Sequence, residues 1–206
     1  MKLLKFSTLD EYTRIQSETN EAKLDWVAAT TAEMDFIAQQ VRRWNPEAQF
    51  GICHGVRNGW EVEQLRQRLG VDVIGTDISP TAEQFPHCVQ WDFHEVKPEW
   101  VGAVDFIYSN ALDHSYDPAL ALQRWKSCLT GKGIVFLQWT HHHNETGGAD
   151  CFGASLREYV AMLGEHFDVV ESFNTYSLRR RWREQLRGWV RRVPVRRCYV
   201  LTCRQR

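Results

Sequence analysis

The stretch QFGICHGVRNGWEVEQLRQRLGVDVIGTD, residues 49–77, decides the fold. It begins with QFGIC, a short apolar segment that is typical of a buried strand. A loop with two glycines follows, and then a helix in which Val62, Leu65 and Leu69 share one face and which Gly70 ends. The β-branched segment VDVIGTD predicts a second strand. This order is typical of two parallel strands joined by a helix.

The segments that follow continue the alternation of strands and helices. Further strands are predicted for CVQWDF, VDFIYSN, GIVFLQWT, DVVESF and CYVLTC. Helices are predicted after Ser79-Pro80 and Asp117-Pro118, because a small polar cap followed by proline opens helices, and in SLREYVAMLGEHF. The order predicts an α/β fold with a doubly wound, mostly parallel sheet and helices on both faces. Such sheets bind ligands beyond the carboxyl ends of their strands.

Helices are also predicted before the first strand. Thr8 and Glu11 have the spacing of a capping box, which predicts a helix from that point. A longer helix is predicted before Pro46, because residues suited to a buried face recur at spacings of three and four. These residues are Leu24, Val27, Thr31, Met34, Ala38 and Val41.

Composition and charge exclude several classes of protein. The chain has 206 residues, 43% hydrophobic and 25% charged, as in one globular domain of ordinary to large size. A net charge of −1 gives no overall attraction to nucleic acid or anionic membranes. No apolar run approaches the roughly 20 residues of a membrane-spanning helix, and the N-terminus becomes polar too early for a signal peptide. The six cysteines are scattered without a CxxC pair, so we expect reduced thiols, no zinc site and a cytoplasmic location.

Glycines and carboxylates stand where three predicted strands end. Gly55 and Gly59 permit a positive φ and the close approach of a ligand, although a tight turn without a ligand is the alternative. Asp77 follows Gly59 by 18 residues and is placed to accept the hydroxyls of a ribose, which we favour over a role at a helix N-terminus. Asp92 either accepts a hydrogen bond from an adenine amino group or caps the next turn.

The order of these segments resembles the class I, Rossmann-like, S-adenosylmethionine-dependent methyltransferases. The resemblance lies in FGICHGVRNG, VIGTDIS, QWDF, VDFIYSNALDHSYDP and CLTGKGIVFLQ, within about residues 46–176. It is closest to a subgroup that has CHGxR, QWDFHE and SYDP segments. The resemblance implies a seven-stranded sheet with an antiparallel last strand, and S-adenosyl-L-methionine as the cofactor.

The resemblance also implies roles for individual residues. The glycine loop would border the methionine part of the cofactor, Asp77 would hold the ribose, Asp92 would reach the adenine, and residues 109–114 would lie near the methyl group. The implied cofactor-binding residues are Cys53, His54, Gly55, Val56, Arg57, Gly59, Asp77, Ile78, Trp91, Asp92, Phe93, Ser109, Asn110 and His114. Cys53 and Arg57 depart from the acid and the glycine usual in the family. The Arg57 guanidinium could pair with a carboxylate of cofactor or substrate.

Two loops offer residues for chemistry. A hydroxyl acceptor needs a base, and His114, oriented by Asp113, is one candidate; the alternative is that both residues only pack or hydrogen-bond in their loop. The loop WTHHHNETGGAD contains His141, a second candidate. With Glu145 or Asp150 its histidines could hold a divalent metal, but we favour a substrate contact or a base and assign no metal ligand.

The C-terminal part of the chain is rich in arginine. The stretch from Leu178 to Arg197 contains nine arginines and one acid. It predicts a basic amphipathic helix, because Trp182, Leu186, Trp189 and Val193 fall at helical spacing. Such a helix would dock on the sheet with a solvated face, grip an anionic substrate such as a phosphorylated sugar or nucleotide-sugar, or contact a membrane surface or nucleic acid.

These features predict one domain over residues 1–206, with N-terminal helices at 1–45, a cofactor-binding core at 46–176 and a basic insertion at 177–197. The predicted function is that of an S-adenosylmethionine-dependent methyltransferase acting on oxygen of a small polar or carbohydrate-like acceptor. The alternatives are a methyltransferase-like protein that binds without turnover, and an enzyme that methylates RNA or another polyanion. We expect the partner to be a small molecule or a glycan, and an anionic one if the arginines bind it. Nucleic acid is not favoured as a partner, and the sequence leaves open whether the protein forms an oligomer.

Overall fold

The structure is a computed structural model that describes residues 1–175 and 198–205. The helices are α1 (Leu9–Ala22), α2 (Thr31–Trp44), α3 (Trp60–Leu69), α4 (Pro118–Cys128) and α5 (Leu156–Leu163). The strands are β1 (Lys2–Leu3), β2 (Phe50–His54), β3 (Asp72–Asp77), β4 (Cys88–Gln90), β5 (Val104–Ser109), β6 (Leu129–Thr140), β7 (Phe152–Gly153), β8 (Phe167–Asn174) and β9 (Cys198–Gln205).

Seven strands form the main sheet in the order β4-β3-β2-β5-β6-β9-β8. Strands β2 to β6 pair in parallel, and β9 is antiparallel to both β6 and β8. The predicted doubly wound sheet with an antiparallel last strand is therefore confirmed. The chain runs outward from β2 to β4 and returns to β5 on the other side of β2, so a crevice is expected at the carboxyl ends of β2 and β5.

Helices cover both faces of this sheet. On one face Ile52 of β2 packs in a cluster with Trp125 of α4 and Tyr159 of α5. On the other face Cys53 packs in a cluster with Leu65 of α3. Successive residues of a strand point to opposite faces, so each central strand is buried on both sides. All six cysteines are buried, and none forms a disulfide bond. No helix in residues 1–175 and 198–205 has the length and apolar character that crossing a bilayer requires.

The N-terminal helices differ from the prediction. Helix α2 begins at Thr31 and not near Leu24, because the side chain of Thr30 accepts a hydrogen bond from the Glu33 N–H and the Glu33 carboxylate accepts one from the Thr30 N–H. A full capping box thus starts the helix later than the apolar spacing indicates. The short strands β1 and β7, which the sequence did not predict, pair in a separate antiparallel sheet and attach the N-terminus to the loop after β6.

Candidate functional site

A cavity of about 370 Å³ opens at the carboxyl ends of the central strands. Its lining includes residues from the loops after β2, β3, β4, β5 and β6. Helix α1 also contributes Tyr12, Gln16 and Asn20, which lie four residues apart on one helical face. The prediction placed a ligand site at this edge of the sheet, but it did not assign α1 to the site.

The glycine loop, residues 55–59, sits tightly on the neighbouring strand ends. Gly55 has a φ of 74°, and a Cβ added there would lie 2.3 Å from the Cβ of Ala111. Its N–H donates to the carbonyl of Thr76 at 2.7 Å. Both the left-handed backbone and the close contact therefore require glycine at this position.

Asp77 lies at the end of β3 beside the glycine loop. Its Oδ2 accepts from the backbone N–H of Arg57 at 2.9 Å, and its Oδ1 accepts from the Ser79 N–H at 3.0 Å and from the Asn20 side-chain amide at 2.6 Å. The side chain is almost fully buried, and burial raises its pKa although the backbone hydrogen bonds from Ser79 and Arg57 and nearby His114 oppose the shift. Asp77 and the glycine loop are thus joined, as a shared ligand site requires.

Arg57 holds the N-terminal segment against the glycine loop. It has a φ of 50°, in the region that favours glycine. Its Nε donates to Asn20 at 3.3 Å, one Nη donates to the carbonyl of Trp26 at 3.1 Å, and the guanidinium lies 5.2 Å from the centre of the Trp26 ring. These contacts account for the arginine without an ion pair to a ligand carboxylate.

Asp92 is held in the loop after β4 by His94. Its Oδ1 accepts from the His94 N–H at 2.9 Å and lies 2.6 Å from Nδ1 of the same histidine, while its Oδ2 accepts from the Tyr116 hydroxyl at 3.3 Å. The Nε2 of His94 lies 2.7 Å from the Ser115 hydroxyl. Burial acts to raise the pKa of Asp92, but the hydrogen bonds from His94 outweigh it and hold the pKa below its ordinary value. Asp92 therefore lines the cavity as an ionised acceptor.

Two buried carboxyl groups that were not predicted also line the cavity. Glu61 of α3 accepts from the Asn110 amide at 3.1 Å, and burial raises its pKa to about 7. Glu33 of α2 accepts from the Gln138 amide, and burial raises its pKa as well. When ionised, both attract a cationic ligand. Glu61 had a signal in the sequence, since it lies four residues before Leu65 on the apolar face of α3.

The turn after β5 places Asp113 and His114 in the cavity lining, but Asp113 does not hydrogen-bond to His114. The Nδ1 of His114 donates to the carbonyl of Ala149 at 3.0 Å. Asp113 Oδ2 instead lies 3.2 Å from Nε2 of His143. Since Nδ1 of His143 accepts from the Thr140 N–H at 3.4 Å, its Nε2 carries the proton toward Asp113. The prediction that Asp113 orients His114 was wrong, because the Ala149 carbonyl orients it instead.

Two of the three successive histidines line the cavity. These are His142 and His143, whereas His141 lies outside the lining with its ring centre 3.8 Å from that of His142 and tilted by 47°. The Glu145 carboxylate pairs with Lys2 at 2.6 Å. Asp150 lines the cavity and lies 3.7 Å from Nδ1 of His114.

Cys53 and His54 lie beneath the cavity and not in its lining. The Cys53 side chain is part of the core on the face covered by α2 and α3. On the opposite face, His54 places Nδ1 2.7 Å from the Thr76 hydroxyl and stacks on Trp125. Burial lowers the pKa of His54 to about 3, so it is neutral at pH 7. Both residues still belong to β2, whose alternating side chains point into the sheet faces.

Three other predicted contacts are also outside the lining. Ser109 donates its hydroxyl to the His54 carbonyl at 3.0 Å and shapes the loop after β5. Gly59 caps α3 with a φ of 70°. Trp91 packs on Trp100. The predicted residues that do line the cavity are Gly55, Val56, Arg57, Asp77, Ile78, Asp92, Phe93, Asn110 and His114.

The arginine-rich stretch from Leu178 to Arg197 lies outside the described residues. Thr175 and Cys198, the last and first described residues on either side of it, both line the cavity. The predicted basic helix and its three possible uses stay predictions, as do the domain boundaries.

No protein-family model matches this chain, and no curated protein sequence matches it.

Solved structures share its fold at low sequence identity. The 1,6-didemethyltoxoflavin-N1-methyltransferase of Burkholderia thailandensis, solved with 1,6-didemethyltoxoflavin and S-adenosylhomocysteine, is 15% identical with a TM-score of 0.68, over 98% of this chain and 92% of that one. The geranyl diphosphate C-methyltransferase of Streptomyces coelicolor A3(2), in complex with Mg²⁺, geranyl diphosphate and S-adenosyl-L-homocysteine, is 11% identical with a TM-score of 0.66, over 98% and 100%. A putative sarcosine dimethylglycine methyltransferase from Galdieria sulphuraria is 15% identical with a TM-score of 0.62, over 84% and 85%.

These likenesses establish the fold of the chain as that of S-adenosylmethionine-dependent methyltransferases. Fold alone does not fix an activity. The narrower resemblance to a subgroup with CHGxR, QWDFHE and SYDP segments stays a prediction.

Proposed function

We propose that this protein is an S-adenosylmethionine-dependent methyltransferase that methylates an oxygen of a small polar or carbohydrate-like acceptor. The observation that supports it most directly is Asp77, which lies beside the glycine loop in the lining of a cavity at the switch point of the sheet. We call the part of the cavity formed by the glycine loop, Asp77 and Asp92 the cofactor end. The part formed by Asp113, His114, Thr140, His142, His143 and Asp150 is the acceptor end.

The residues of the cofactor end fit S-adenosylmethionine. Asp77 Oδ2 holds a single backbone hydrogen bond and so can accept a ribose hydroxyl, while Asp92 can accept from the adenine amino group. Gly55 keeps the backbone close and open to the ligand, and ionised Glu61 and Glu33 favour its positive charge. The cavity of about 370 Å³ falls in the range of roughly 300–1,000 Å³ that is typical of small-molecule sites.

When bound, the cofactor supplies a methyl group on a positively charged sulfur. The protein then has to hold the acceptor oxygen in line and help it lose its proton. We assign this help to His114, because its Nδ1–H is held by the Ala149 carbonyl and the lone pair of its neutral ring is on Nε2. Such a nitrogen activates a hydroxyl either by taking the proton or by holding a cation that lowers the pKa of that hydroxyl.

Isothermal titration with S-adenosylmethionine and S-adenosylhomocysteine tests the cofactor. Wild-type protein should bind both, and Asp77→Asn should weaken binding about 10-fold or more, because a hydrogen bond to a charged group contributes about 1.5–3 kcal/mol. The matched control is Asp72→Asn, an exposed acid at the start of the same strand. Folded wild-type protein that binds neither ligand would remove the proposal.

The acceptor is sought by transfer of a labelled methyl group to glycan and metabolite fractions. If the protein binds S-adenosylhomocysteine but methylates none of these fractions, the result would favour the alternative of a methyltransferase-like protein that binds without turnover. Methyl transfer only to RNA, with binding that weakens steeply as salt rises, would favour a polyanion acceptor.

A further inference from the structure

The geometry points to a binding site for one divalent metal cation at the acceptor end, formed by Asp113, His114 and Asp150. One donor atom of each of these side chains lies within 4.8 Å of the others. Asp113 and His114 come from the turn after β5 and Asp150 from the loop after β6, so the fold brings them together. The histidine triplet, which the sequence offers most visibly, does not supply this set.

The buried Asp113 carboxylate has one oxygen without a partner. Oδ2 pairs with Nε2 of His143 at 3.2 Å, but Oδ1 is buried and accepts no hydrogen bond within residues 1–175 and 198–205. Asp113 is only 7% exposed, and it lines the cavity. A buried carboxylate oxygen without a donor is costly, and a bound cation removes that cost.

His114 is held in the tautomer that a metal ligand needs. Its Nδ1 lies 3.0 Å from the Ala149 carbonyl oxygen, which only accepts, so Nδ1 carries a proton and the lone pair of the neutral ring is on Nε2. Metal-binding histidines usually donate the second ring N–H to a carbonyl or carboxylate in this way. Because Ala149 directly precedes Asp150, the same contact ties His114 to the loop that carries the third ligand.

The charges around the cluster also favour a cation. The ionisable partners of the two carboxylates among the described residues are imidazoles, which are charged only when protonated: Nε2 of His143 lies 3.2 Å from Asp113, and Nδ1 of His114 lies 3.7 Å from Asp150. No lysine or arginine in the described part of the chain pairs with either carboxylate. Two carboxylates this close repel when both are ionised, and a divalent cation between them compensates both charges.

One imidazole nitrogen and two carboxylate oxygens suit Mn²⁺, Mg²⁺, Fe²⁺ or Zn²⁺, with coordination positions left for water or an acceptor hydroxyl. In the proposed reaction the cation lowers the pKa of that hydroxyl, and its proton leaves to water. The new C–O bond then forms as the C–S bond of the cofactor breaks. This use rests on the proposed function, whereas binding of the cation does not.

Titration with Mn²⁺ followed by electron paramagnetic resonance tests the site in the full chain, without cofactor or acceptor. Wild-type protein should bind one Mn²⁺, and Asp113→Asn and Asp150→Asn should each weaken binding at least about 10-fold. Glu145→Gln is the matched control, because Glu145 lies in the same loop as Asp150 but pairs with Lys2. Pulsed spectra of the bound Mn²⁺ should show coupling to an imidazole nitrogen that disappears in His114→Gln.

Circular dichroism establishes that each variant is folded. The site is refuted if folded wild-type protein binds no Mn²⁺, if Asp113→Asn and Asp150→Asn bind it as wild type does, or if Glu145→Gln loses it. A parallel titration with S-adenosylmethionine separates the two proposals. If the protein binds S-adenosylmethionine but not Mn²⁺, the cation site is refuted and the proposed function stands. If it binds Mn²⁺ but not S-adenosylmethionine, the proposed function is refuted and the cation site stands.

Discussion

The two ends of the cavity are built in different ways. At the cofactor end, Asp77 is the last residue of β3 and Asp92 lies two residues after β4, and backbone N–H groups fix their carboxylates. At the acceptor end, the loops are held by residues far away in the sequence. The Tyr12 hydroxyl donates to the His114 carbonyl at 3.0 Å, and the Gln16 amide donates to the Ala149 carbonyl at 2.8 Å.

This difference separates features that other proteins with this fold can share from features that are particular to this chain. A parallel sheet brings the residues after its strands to one edge whatever their side chains are, so a cofactor end can be common to many sequences. The acceptor end depends on how α1 and the β1–β7 pair dock on the loop after β6. Substrate choice should therefore be set at the acceptor end, and cofactor affinity at the other.

The largest expected effect lies at the acceptor end. His114→Gln should lower kcat about 10²- to 10⁴-fold, the usual contribution of a group that assists proton loss, and should leave the Kd of S-adenosylmethionine unchanged. The measurement is kcat with the first acceptor that the methyl-transfer screen yields, beside calorimetry of cofactor binding. His87→Gln, at an exposed histidine outside the cavity lining, serves as control. Weaker binding of S-adenosylmethionine with an unchanged kcat would mean that His114 belongs to the cofactor end.

The next effect compares two glycines with left-handed backbone, Gly55 at the cofactor end and Gly148 in the loop after β6 that carries Asp150. Gly55→Ala should lower the free energy of unfolding by about 2–4 kcal/mol, because the new Cβ adds overpacking against Ala111 to the backbone strain. Gly148→Ala, in the acceptor loop with a φ of 60° and no atom within 4 Å of the added Cβ, should cost only about 1–2 kcal/mol. Urea unfolding measures both. Equal losses would contradict the tight packing of the cofactor end.

The smallest of these effects concerns Glu61 and depends on pH. Burial raises its pKa to about 7, so the neutral carboxyl stabilises the folded protein below the unfolded pKa, and that stabilisation is lost as pH rises through about 7. Without ligand, Glu61→Gln should therefore stabilise the protein at pH 8, by at most about 3 kcal/mol, and have little effect at pH 5. Urea unfolding at both pH values tests this, with exposed Glu63→Gln as control. Glu61→Gln should also weaken the binding of S-adenosylmethionine at pH 8, because the variant has no ionised carboxylate at this position to attract the positively charged ligand. A gain in stability that is equal at both pH values would show that ionisation of Glu61 is not its cause.

Some elements could be predicted because their signals are local. Asp117 accepts from the Leu120 N–H at 3.0 Å at the start of α4, as the pair Asp117-Pro118 predicts. Helix α2 was predicted too long because apolar spacing was weighed above the capping box formed by Thr30 and Glu33. His54 was assigned to the cofactor, but this last residue of β2 points into a sheet face and stacks on Trp125, and the cavity lining at this strand end begins with Gly55.

The contacts that complete the site could not be predicted. Asn20 reaches Asp77 across 57 residues, and Gln138 reaches Glu33 across 105 residues. Nothing in the surrounding sequence marks either amide, because its partner is brought near only when α1 and α2 pack on the sheet.

The sequence by itself determined the alternation of strands and helices along the chain, the glycine loop and the carboxylates at the strand ends, because these depend on residue type and on spacing along the chain. Only the tertiary structure decided which polar side chains meet in the cavity: Asn20 with Asp77, His143 with Asp113, and Asp113 with His114 and Asp150. The physical reason is that hydrogen bonds and charges act over a few ångströms, and separation along the sequence does not set those distances.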